Sequence, residues 1–60
     1  ALMVGQVGVV VEAIGHARGR VRLGDGLWLA ESESALAPGT SVTVVGQRGT
    51  VVVVRANAAA

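Results

Sequence analysis

One histidine, His16, and four carboxylates, Glu12, Asp25, Glu31 and Glu33, carry the acid–base chemistry of this 60-residue chain. A single imidazole and no cysteine leave nothing from which one chain could build a His- or thiolate-ligated metal centre. His16 sits in Gly15-His16-Ala17-Arg18-Gly19, a glycine-bracketed polar turn that predicts a solvated side chain rather than a general base. Glu31 and Glu33 are two apart and would share a face in an extended segment. A glycosidase-like acid pair is the sharp reading of that spacing, and a solvated rim is the better one. Asp25, inside Gly24-Asp25-Gly26, is a routine turn former. Ser32, Ser34 and Ser41 have no cysteine or second histidine to complete a nucleophilic group. Gly46-Gln47-Arg48-Gly49 lacks the Lys and Ser/Thr that follow in a phosphate loop. With no lysine, a biotin or lipoyl attachment site is also excluded. The residues predict neither an enzyme nor a cofactor.

Binding chemistry is the remaining option. Arg18, Arg20 and Arg22 alternate along one arm and form a small basic stripe, with Arg48 and Arg55 elsewhere. A single-strand nucleic-acid groove pairs such a stripe with several aromatic platforms. This chain has one Trp and no Phe or Tyr, so the stripe reads better as a solvated strand face that discourages edge pairing. Five Arg against four carboxylates give a formal net charge of +1, which attracts no particular class of partner strongly. The unusual feature is apolar excess. Val9-Val10-Val11 and Val51-Val52-Val53-Val54 are apolar on both faces, and Leu29 lies opposite Trp28 and Ala30, so it points outward. Exposed apolar patches mark association surfaces. Leu29, Val10 and Val53 are the candidate interaction residues, for self-association or for docking a protein partner.

The elements that position these residues are short. Sixty residues make one domain, which buries about 60% of its unfolded surface. Thirteen Val point to β structure, because the χ1-stiff side chain suits a pleated sheet. A first strand is predicted from Leu2 to Ile14, with Gly5 and Gly8 marking a bulge or bend. Gly19 to Ala30 reads as a hairpin around Gly24-Asp25-Gly26, with Val21 and Leu23 inward and Trp28 plugging the core. Residues Glu31 to Ala37 predict at most one turn of helix, docked through Leu36 and stopped by Pro38-Gly39. Val42 and Val44 face inward on a fourth strand, Gly46 to Gly49 form a loop, and Thr50 to Arg55 form the last strand. The domain is predicted over 1–55, with a disordered tail over 56–60. Val4-Gly5-Gln6-Val7-Gly8 echoes Val45-Gly46-Gln47-Arg48-Gly49; two turns solving one geometric problem alike explain this better than a propeller repeat. The expectation is an all-β, five-stranded OB-fold-like barrel, with an SH3-like barrel as runner-up. No apolar run approaches the roughly 20 residues of a membrane helix, so a soluble module, cut from a longer protein, is expected.

The order of these pieces resembles the C-terminal soluble domain of the NfeD family. The matching residues are Leu2 through Gly5 and Gly8 with the Val run; Gly19, Val21 and Leu23; Leu27-Trp28 and Ala30; Gly39-Thr40, Val42, Val44-Val45-Gly46 and Gly49; and Val52 with Val54. Thr50 and Leu29 depart from the pattern, standing where an apolar and a polar residue respectively are usual. The resemblance implies an OB-fold without catalytic residues, carried after membrane helices that are absent from this chain. It implies a stomatin- or flotillin-type membrane partner, a cytoplasmic-side location, and a role in membrane protease regulation, protein quality control or membrane organisation. Oligonucleotide binding and pure oligomerisation are the alternative functions.

Overall fold

A computed structural model describes residues 4–15, 17–24 and 26–57; His16 and Asp25, and the readings made on them, lie outside the described residues. Five strands are present: β1 (Val7–Glu12), β2 (Gly19–Leu23), β3 (Gly26–Glu31), β4 (Ser41–Arg48) and β5 (Val51–Ala56). They close into a barrel in the order β1-β2-β3-β5-β4, with β4 returning to β1. Every pairing is antiparallel except β3 with β5, which is parallel. This is the expected OB-fold-like barrel, and closure leaves no free sheet edge.

Period-two alternation sets the core. On β2, Val21 and Leu23 are buried while Arg20 and Arg22 are exposed, as their spacing predicts. Val10, Val21, Val42, Val44, Val52 and Val54 fill the interior, joined by Ile14, Leu23, Ala30 and Leu36. Aliphatic burial of this kind supplies the main stabilising term in a chain without disulfides.

Two glycines are required by close strand approach rather than by turns. A Cβ on Gly8 would lie 2.4 Å from the Arg22 carbonyl oxygen and 2.5 Å from Leu23 Cδ2. A Cβ on Gly19 would lie 2.3 Å from the Glu12 carbonyl oxygen and 2.4 Å from that of Ala13. The bend that brings β1 over β2 is a bulge at Val11, between the pairs Val10 with Val21 and Glu12 with Arg20.

Several sequence-based expectations are corrected. Among the described residues the first strand runs from Val7 to Glu12, because Val4 and Gly5 form a turn in which Gly5 has φ of 96°; Leu2 and Met3 lie outside the described residues. Ile14 lies beyond the strand, in an isolated bridge to Leu36. No helix forms between Glu31 and Ala37; Leu36 is held by two backbone hydrogen bonds with Ile14, of 2.9 and 2.8 Å. Docking through Leu36 is therefore right, and a bridge replaces the helical turn. Residues 46–48 continue β4, and the turn to β5 is Gly49-Thr50, so the last strand starts at Val51.

The last strand reaches into the segment expected to be tail, of which residues 58–60 lie outside the described residues. Ala56 ends β5 opposite Val42, and the Asn57 N–H donates to the Ser41 carbonyl at 2.9 Å. Asn57 Nδ2 donates to Ser41 Oγ at 2.8 Å, and Thr43 Oγ1 donates to Asn57 Oδ1. These bonds fix a segment that composition alone marks as having nothing to bury.

Trp28 faces inward beside Val21, as predicted, yet it is half-buried rather than a core plug. The interior is already filled by Val, Ile and Leu, so the indole packs against the core's edge. Full burial would make truncation cost 3–5 kcal/mol; at half-burial Trp28→Ala should cost about 2 kcal/mol. Urea denaturation followed by circular dichroism checks this.

Candidate functional site

The outer face of β3 and β5 carries an open concavity. On β3, Leu27, Leu29 and Glu31 point away from the core, and Leu29 is 40% exposed. The parallel pairing sets Leu29 opposite Val51 and Glu31 opposite Val53. Val51 is nevertheless buried, lying between its partners Leu29 on β3 and Arg48 on β4. Val53 is half-buried at the floor of the same face.

Charged side chains frame this apolar floor. Glu31 is ion-paired with two guanidinium groups: Arg18 Nε stands 3.6 Å from Oε1 and Arg48 Nη1 stands 3.6 Å from Oε2. The two arginines come from opposite directions, Arg18 from the segment before β2 and Arg48 from the end of β4. Both are well exposed, so each pair contributes little to stability, about 0–1 kcal/mol. Their consequence is positional. With Glu31 between them they border a groove of about 930 Å³ whose lining includes Leu29 and Val53. A second groove, of about 450 Å³, runs past Val45, Val54 and Arg55 and shares Val53, Ser32 and Glu33 with the first. Both open to solvent, which suits a protein surface better than an enclosed small molecule.

The candidate residues of the sequence reading separate here. Leu29 and Val53 line one groove, with Val53 common to both grooves. Val10 does not join them: it is 1% exposed, in the core opposite Val21. In an unbroken Val9-Val10-Val11 run nothing local distinguishes the inward residue, and the pairing with Val21 decides it. Val9 and Val11, at 45% and 40% exposure, are the outward ones. Val7 and Leu27, at 62% and 51%, and Val45, at 47%, are exposed residues that the sequence reading missed. Leu27 was accessible to inference, since it shares Leu29's face at a spacing of two. Val45 was not, because it stands at a register shift between Val44 and Gly46.

The chemistry-bearing residues are also placed. Glu31, weighed with Glu33 as an acid pair, is engaged by two arginines instead. Of the basic stripe, Arg20 pairs with Glu12 at 3.9 Å and Arg18 with Glu31. Trp28, the one aromatic residue of the chain, turns inward, away from the exposed Arg20 and Arg22, so the stripe has no stacking platform. No helix among the described residues is long and apolar enough to cross a membrane.

Comparison with known proteins agrees with this architecture. No individually curated protein matches the chain. The soluble domain of a membrane protein implicated in regulation of membrane protease activity, from Corynebacterium glutamicum, is 34% identical with a TM-score of 0.85. The match covers 93% of this chain and 94% of that one. The C-terminal domain of stomatin operon partner protein 1510-C from Pyrococcus horikoshii is 29% identical with a TM-score of 0.86, covering 95% and 91%. The family model for the NfeD-like C-terminal, partner-binding domain matches residues 1–55. With family match, barrel topology and both solved structures in agreement, the chain belongs to the NfeD family as its C-terminal, partner-binding domain.

Proposed function

We propose that this domain docks a stomatin- or flotillin-type membrane protein through the Leu29–Val53 groove, without catalysing a reaction itself. The full-length protein would be membrane-anchored with the barrel on the cytoplasmic side, and docking would bear on membrane protease activity and protein quality control. The family's partner-binding character and the stomatin operon origin of the Pyrococcus relative support the partner class. The Corynebacterium relative supports the link to membrane proteases. The observation that carries the choice of surface is the exposed Leu29 beside Val53 in a groove bordered by the Arg18–Glu31–Arg48 ion pairs. An apolar anchor surrounded by a polar rim is the usual anatomy of a protein interface.

The test is capture of a purified stomatin-type protein from the same organism. Leu29→Asp places a carboxylate on the groove floor and should weaken capture at least about tenfold, equivalent to about 1.4 kcal/mol. Because Leu29 is outward, the melting curve should move little. Undiminished capture by a folded variant would remove the groove from the interface.

A further inference from the structure

We propose that the chain associates with itself head-to-tail, the outer crest of β2 on one copy seating in the groove beside Glu33 and Val45 on the next. This goes beyond the docking of a membrane partner, and Leu29 lines neither the crest row nor that groove.

The crest follows from register. Arg22 is paired with Val9 on one side and Leu27 on the other, so these three share one outer face of three adjacent strands. Val9 and Leu27 are 45% and 51% exposed, and Arg22 is exposed between them. Arg18, Arg20 and Arg48 each have a carboxylate within 4.0 Å, whereas Arg22 has no ion pair among the described residues. A guanidinium flanked by apolar side chains, with no carboxylate of its own, has the composition of an interface anchor.

The chain carries the complement to this crest. The groove of about 450 Å³ is lined by Glu33, Val45, Val53 and Arg55, among others. Glu12 and Glu31 are engaged by arginines, so Glu33 is the one carboxylate among the described residues without an ion pair. Seating Arg22 against Glu33 pairs the two groups left over and sets Val9 and Leu27 against Val45 and Val53. Arg55, the second unpaired arginine, fixes the orientation, because it opposes Arg22 and attracts Glu12 on the β1 flank of the crest. Glu12 is held by Arg20 alone, and Glu31 shows that a carboxylate of this barrel takes two guanidinium groups. Crest and groove are different surfaces, so each copy added leaves one of each open. The association is heterologous and grows past the dimer unless it closes in a ring.

The experiment is sedimentation velocity of the 60-residue chain. Reversible association past the dimer is expected between about 0.01 and 1 mM, the range of a small transient contact. Arg22→Glu and Glu33→Arg should each raise the dissociation constant at least about tenfold, since each sets like charges together. An equimolar mixture of the two variants should associate again, because every junction between unlike copies then joins opposite charges. Non-specific apolar adhesion gives no such rescue. Leu27→Ser, which leaves the charges in place, should weaken association several-fold. All three positions are exposed, and circular dichroism confirms that each variant is folded. A chain that stays monomeric throughout the range overturns the proposal. So do single variants that associate like the original, a mixture that fails to recover, and association that stops at the dimer.

Discussion

Gly19→Ala unfolds the barrel. The new methyl would stand 2.3 and 2.4 Å from the carbonyl oxygens of Glu12 and Ala13, and 2.7 Å from Ile14 Cγ1. Backbone oxygens cannot step aside as a flexible side chain can, so β1 and β2 must separate where the barrel bends. Overpacking costs 1–3 kcal/mol in ordinary cores, and a clash with two carbonyls belongs at or beyond about 3 kcal/mol. A 60-residue domain has roughly 3–9 kcal/mol of stability at 0.05–0.15 kcal/mol per residue. The expected observation is loss of the cooperative transition, or a urea midpoint lowered by half or more. Gly15→Ala is the internal control: nothing lies within 4 Å of its Cβ position, and its φ is outside the left-handed region. It should be neutral, or stabilising by up to about 1 kcal/mol through the unfolded chain. Equal destabilisation by both changes would disprove the close-approach account.

Ile14→Ala should cost about 2–5 kcal/mol, the range for deleting a buried aliphatic side chain. Ile14 is 2% exposed and lies outside every strand, packed in the core cluster and tied by a two-bond backbone bridge to Leu36. That bridge holds the β3–β4 connection against the barrel. Truncating Ile14 removes core volume and the support beneath Leu36 together. Ile14→Val, which keeps most of the volume, should cost only about 0.5–1.5 kcal/mol. Both variants keep the two backbone bonds of the bridge, so chemical denaturation of the pair reads the contribution of the Ile14 side-chain volume.

The legible parts of this protein are those where one residue's neighbours settle its environment. Arg20-Val21-Arg22-Leu23 alternates, so its faces could be assigned from spacing, and the structure follows. Leu29 could be placed outward because Trp28 and Ala30 had to face in. In Val9-Val10-Val11 every residue is equally apolar, and the pairing of Val10 with Val21 chose the inward one. The echo between Val4-Gly5-Gln6 and Val45-Gly46-Gln47 has no common geometry. Gly5 makes a positive-φ turn, whereas its counterpart Gly46 lies within β4.

The sequence by itself determined a Val-rich, turn-punctuated β domain, the family it joins, and an outward Leu29. Those properties depend on side-chain chemistry and a two-residue period, which are local. Only the tertiary structure decided that Val10 is core, that Trp28 is half-buried, that Asn57 is tied to Ser41, and that Glu31 lies between Arg18 and Arg48. Each of those depends on which distant strand becomes a neighbour and on the bulges that set its register. Closure of the barrel, not any short stretch of sequence, makes Leu29 and Val53 parts of one groove.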